Sequence, residues 1–203
     1  MKYLAFYFLL ASLMSFSQDD LLDEIDTQTV DSYATATFKG LKIVNFESTK
    51  LVAKGELTFV VAHRFGSIEN GFDSFFGLDD AVTRINFIFG VSDGFNVSVS
   101  RSSFQKIYES AIKYRLIQQR ENGSPVTVVG YNSLLINTAL EKDNFPKLEF
   151  KNRLGYTTQI LIARKMSQNL SLELAPTYFH DNFVIDDNQN NSQFAIGLHG
   201  QRE

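Results

Sequence analysis

Between Leu148 and Lys165 the chain alternates with a period of two. Leu148, Phe150, Leu154, Tyr156, Ile160 and Ile162 fall on one parity, interrupted by Asn152 and Thr158, while Glu149, Lys151, Arg153, Thr157, Gln159 and Lys165 fall on the other. A helix would scatter both sets around its circumference, whereas a strand sends them to opposite faces. The stretch therefore predicts one long strand with an apolar face and a face carrying charges of both signs. Such a strand suits the wall of a barrel.

The same alternation recurs along the chain. It predicts strands over Glu56–Phe65, Ala81–Val91, Phe95–Ser102, Lys106–Ile117, Leu170–His180 and Gln193–Gln201. Pro125–Ile136 is mostly apolar on both parities, so its facing is open. With the stretch at Leu148 these make about eight strands, near the roughly 9–11 residues that a tilted membrane strand needs. The expected fold is all-β, an antiparallel up-and-down barrel, either complete with about eight strands or part of a larger one. Alternate connections are long (Ser67–Asp80, Asn137–Pro146, Asp181–Ser192) and the others are tight (Ser92–Gly94, Met166–Asn169) or intermediate (Gln118–Ser124). Ser103–Gln105 breaks the alternation, being short where a long loop is due. Long loops at one end and short turns at the other mark outer-membrane barrels.

Nineteen Phe against no Trp skews the chain towards strand-forming aromatics. A formal net charge of -4 lacks the basic footprint of a nucleic-acid binder. With no Cys there are no disulfides and no lipid-modified N-terminal cysteine. Met1–Ser17 reads as a signal peptide, with Lys2 before a short apolar core and small residues at Ser15 and Ser17, which makes Gln18 the expected mature terminus. Residues 18–54 are expected to form an acidic leader followed by an extended periplasmic or plug segment, and 55–203 the barrel. The leader carries Asp19, Asp20, Asp23, Glu24, Asp26 and Asp31, without the alternating pattern of a calcium loop.

Alternation alone leaves two arrangements. In a soluble periplasmic barrel that binds an apolar ligand, the apolar stripe faces inwards. In a membrane barrel it faces lipid, and Arg64, Arg84, Glu109, Lys113, Arg115, Glu149, Lys151, Arg153 and Glu173 line a lumen, as a solute path or as a salt-bridge ladder. Phe65, Phe95, Tyr114 and Tyr178 near strand ends suit an interfacial girdle and favour the membrane arrangement. His63, His180 and His199 do not converge by parity, and no spacing pairs a serine with a histidine base. No catalytic, cofactor-binding or metal site is expected, and the chain is not expected to be an enzyme. The Phe-rich and Gly-rich loop Asn70–Leu78 is expected either to fold inwards as a constriction or outwards as a partner surface. Asp186-Asp187-Asn188 with Asn190-Asn191 reads as a solvated loop tip.

Several short segments carry a resemblance by their order and spacing: Ala36-Thr37-Phe38-Lys39-Gly40, Gly55-Glu56-Leu57, His63-Arg64-Phe65-Gly66, Asn70-Gly71 with Phe75-Phe76-Gly77-Leu78-Asp79, Tyr108-Glu109 and Lys113-Tyr114-Arg115. Together they resemble an uncharacterised β-barrel family, domain of unknown function 5777, found in exported proteins of Gram-negative bacteria. The likeness runs from about Thr35 to the last strand. It implies an outer-membrane-type barrel with outer-membrane lipid and the barrel-assembly machinery as partners, and it brings no catalytic residue or cofactor. Members look longer, and outer-membrane barrels generally end on an aromatic residue, whereas this sequence ends Gly200-Gln201-Arg202-Glu203. The expectation is therefore either early closure or a truncated chain. A structural or adhesive role, or passive transport of small polar solutes, is expected.

Overall fold

The computed structural model describes residues 37–44, 46–184 and 189–202. The expected signal peptide, the acidic leader and the Asp186-Asp187-Asn188 tip lie outside these residues. A two-residue pair, β1 (Lys42–Ile43) and β2 (Phe46–Glu47), precedes eight long strands. These are β3 (Leu57–Arg64), β4 (Val82–Ser92), β5 (Phe95–Ser102), β6 (Ile107–Ile117), β7 (Thr127–Asn137), β8 (Leu154–Ser167), β9 (Leu170–Asp181) and β10 (Ser192–Arg202). Each pairs antiparallel with its neighbours in sequence, from β3 at one edge to β10 at the other. The sheet curls as a half-barrel, an arc of an incomplete β-barrel.

Seven of the expected strands form within one or two residues of their expected ends, and the long strand is the exception. It begins at Leu154, because residues Phe150–Arg153 form a 3-10 turn. Asn152 takes the Glu149 amide on its side chain at 2.8 Å, closing a reciprocal capping box. That local satisfaction competes with the ladder and wins.

Register carries the alternation from strand to strand. Phe59 lies opposite Phe87 and Phe87 opposite Val99; farther along, Leu174 lies opposite both Ile162 and Leu198. Apart from the half-buried Ile162 this set is exposed; Phe87, on a strand paired on both sides, keeps 45% of its surface accessible. The other parity is buried and largely polar, with Asn86, Asn96, Lys113, Gln159, Glu173 and Thr177 among it.

What covers that polar face is the segment before β3. Phe46 and Leu51 pack on a fully buried cluster of Val129, Leu161 and Ala175. The Asn96 side chain donates to the Val52 carbonyl at 3.2 Å, and the Lys39 amide to Gln201 Oε1 at 3.2 Å, so the segment reaches from β5 to β10. Where it leaves the wall, Gly90 removes an obstacle: a Cβ there would lie 1.9 Å from the Ala53 carbonyl oxygen. Gly90→Ala is expected to cost about 1–3 kcal/mol by forcing two backbones apart. Denaturant unfolding of the refolded protein would check it.

Candidate functional site

The inner segment meets the wall through a buried charge cluster. Glu47 on β2 bonds to Lys42 on β1, within the same small hairpin. Its other carboxylate oxygen accepts from Lys113 Nζ on β6 at 3.2 Å, and Lys113 also donates to the Leu41 carbonyl at 3.3 Å. Lys113 is 6% exposed, and the segment supplies its salt-bridge partner. On β9, Glu173 Oε2 accepts the Thr49 amide at 2.9 Å, and on β8, Gln159 Oε1 accepts the Glu47 amide at 3.2 Å. Three wall strands thus hold one stretch of backbone.

Burial by itself would push the Glu47 carboxyl up. The charges of Lys113 and then Lys42, with hydrogen bonds to both, override it and hold the group below its ordinary value of 4.5. The Glu47 carboxyl is therefore ionised at neutral pH.

A second cluster lies nearer the long-loop end. Arg84 Nη2 donates to Glu109 Oε1 at 2.5 Å and to Ser100 Oγ at 2.8 Å, and the Tyr131 hydroxyl donates to the same carboxylate oxygen at 2.9 Å. Of the other charged residues singled out in the sequence, Arg115 is half-buried and donates to Gln118 at 3.1 Å. Arg64 is exposed at the last residue of β3. Glu149, Lys151 and Arg153 precede β8 and are not strand residues; Glu149 and Lys151 form an exposed ion pair at 2.8 Å. Their alternation in sequence is therefore not a facing on the wall. Of the residues that complete the clusters, Glu47 and Tyr131 carry no sequence signal beyond their charge or hydroxyl, since Lys113 and Glu109 lie on strands distant in sequence, and Lys42 joins through Glu47 in its own hairpin.

Between segment and wall lie two recesses. The first, a small one, is lined by polar side chains such as Asn86, Asn96 and Lys113 and equally by apolar ones such as Val52, Ile88 and Val97, and the second, more open, by Thr37, Thr49, Lys50, Arg115, Gln118 and Thr127 with Leu51. Thr49 Oγ1, Asn86 Oδ1, Asn96 Oδ1 and Glu173 Oε1 are buried without a protein partner among the described residues. Buried polar atoms are ordinarily bonded, and three of these belong to residues that line the recesses, Asn86 and Asn96 the first and Thr49 the second.

The histidines stay apart. His63 bonds Thr83 at 3.0 Å and His180 bonds Ser192 at 2.8 Å, while the His199 ring lies 5.0 Å from that of Phe46. The Ser192–His180 contact is a cross-strand pair that the sequence reading missed, because strand register alone brings the two together. Ser192 also bonds the Tyr178 hydroxyl at 3.0 Å, and no carboxylate bonds to the imidazole among the described residues. No group of three or more His, Asp or Glu among the described residues could hold a metal ion.

The outer face settles which parity meets the surroundings. The soluble arrangement puts the apolar stripe inside, and the structure puts it outside: Phe59, Phe87, Val99, Ile160, Leu174 and Ile196 are all exposed. No helix among the described residues is long and apolar enough to cross a membrane, which says nothing of strands. No curated protein and no solved structure matches the chain. One family does, described as a membrane bound beta barrel domain (DUF5777), and its match runs over residues 38–203, from the inner segment to the last residue. A wall apolar outside and polar inside is the arrangement such a domain requires, and the chain belongs to that family of membrane-bound β-barrel domains.

Proposed function

We propose that the protein is an outer-membrane β-barrel without enzymatic activity, carrying the segment from Phe38 to Ala53 as a plug that restricts passage of small polar solutes. The plug's docking carries this reading: its Glu47 meets Lys113 of the wall in a cluster that excludes bulk solvent, while a polar recess remains between segment and wall at Thr49, Arg115, Gln118 and Thr127. Serine, threonine, asparagine and glutamine dominate the buried polar set of the inner wall, which suits neutral, hydrogen-bonding solutes better than ions of one sign. Outer-membrane lipid and the barrel-assembly machinery are the partners in this reading.

Liposome swelling tests it. Vesicles holding the refolded full chain should admit small sugars slowly, and Lys113→Met, which loosens the plug, should speed entry. If sugars enter with neither protein, solute passage fails, and the wall-building or adhesive role takes its place.

A further inference from the structure

The connection between β3 and β4 holds an apolar surface that the lumen does not use. Residues Ile68–Ser74 form an irregular 3-10 turn, and Ile68, Phe72, Phe75, Phe76 and Leu78 are exposed around it, Phe72 at 81%. Phe75 and Phe76 both hold positive φ, 45° and 57°, a region unfavourable for an ordinary L-residue. Bulky residues keep such a conformation only where the surroundings impose it. Here the base of the loop is pinched shut. The Gly66 amide donates to the Gly77 carbonyl at 2.8 Å, and at Gly77, with φ +83°, a Cβ would fall 2.5 Å from the Gly66 carbonyl oxygen.

The lobe also bonds its own backbone. The Phe76 amide reaches the Gly71 carbonyl at 2.6 Å, the Gly77 and Asp79 amides reach the Ser74 carbonyl at 3.0 and 3.2 Å, and the Leu78 amide reaches Phe75 at 3.2 Å. Internal satisfaction is the condition for leaving water. The apolar surface continues that of the wall: Phe65 follows β3 on its exposed parity, and Phe104 and Phe150, on the connections after β5 and before β8, are exposed at the same end. Exposed carboxylates at Glu69, Asp73, Asp79 and Asp80 oppose deep burial. An apolar surface with a charged margin fits the headgroup layer rather than the hydrocarbon.

We propose that the 67–80 lobe is seated in the lipid headgroup layer, extending the membrane contact of β3 and β4 beyond the strand ends. Its partner is the bilayer surface, rather than the lumen or a protein ligand. This rests on the exposed parity facing lipid.

The chain has no Trp, so each introduced tryptophan is the sole reporter. Phe72→Trp and, separately, Phe87→Trp in the full chain would be reconstituted in phosphatidylcholine brominated at shallow or deep acyl positions. Expected is loss of Phe72→Trp emission chiefly with shallow bromines and of Phe87→Trp emission chiefly with deep ones. If Phe87→Trp is quenched by bromolipid and Phe72→Trp only by aqueous iodide, the lobe faces water and the proposal is overturned. If neither responds to bromolipid, the wall does not face lipid, and the proposal falls with its premise.

Discussion

Lys113→Met should release the plug. The substitution keeps the length of the side chain but leaves Glu47 buried with only Lys42 as a charge partner. Removing one member of a buried ion pair typically costs about 3–5 kcal/mol, and the surviving Lys42 contact argues for the lower end. About 3 kcal/mol corresponds to a population of the undocked segment raised roughly a hundredfold. Amide hydrogen exchange at Glu47 and Thr49, whose amides bond to Gln159 and Glu173, should accelerate by that order. Strand β9 should keep its protection. The pH dependence follows from the Glu47 carboxyl being held below 4.5 when docked. A group depressed in the folded state contributes its full stability above its ordinary value and loses it as pH falls through the folded one. Docking should therefore be intact at pH 7 and weaken below about pH 4.5. Glu47→Gln, which cannot ionise, should flatten the part of that dependence due to this group.

Phe87→Arg should be the most damaging single change on the outer face. Phe87 sits mid-strand on β4, between Phe59 and Val99 in the register of its neighbours. A guanidinium at the midplane of a lipid-facing wall costs about 2–4 kcal/mol, and less towards either interface. Unfolding by guanidinium in bilayers should show the loss in full. The same substitution at Val91, at the short-turn end of the same strand and also exposed, should cost about 0–1 kcal/mol. Equal losses at both positions would mean that β4 does not cross the hydrocarbon.

How far the sequence discloses this structure depends on which side of the wall a residue meets. Strand positions were legible because lipid on one side and polar groups on the other impose a period of two; Phe95–Ser102 forms with the expected ends. The facing of Pro125–Ile136 was not legible, and the reason is the plug. Val129 points inwards but meets Phe46 and Leu51 rather than a polar lumen, so apolar residues occupy both parities of β7. At Leu148–Arg153 the alternation persists without a strand, since Glu149 and Asn152 satisfy each other's backbone locally. Among the candidate charges, Arg84 and Glu109 are brought together on the wall, whereas Lys113 and Glu173 are each completed by the inner segment. A pairing between segments so far apart in sequence leaves no local pattern to read.

The central claim is that the exposed parity faces lipid and the other parity faces a plugged interior. The chain has no Cys, so a spin label can be placed at single sites along β9: Ser171, Leu172, Leu174, Thr177 and Tyr178. Collision with oxygen, which concentrates in hydrocarbon, and with a water-soluble nickel chelate would then be compared in bilayers. The account predicts high oxygen collision at 172, 174 and 178 and low collision with either reagent at 171 and 177. High nickel collision at 172 and 174, with oxygen favoured at 171 and 177, would invert the wall and contradict it.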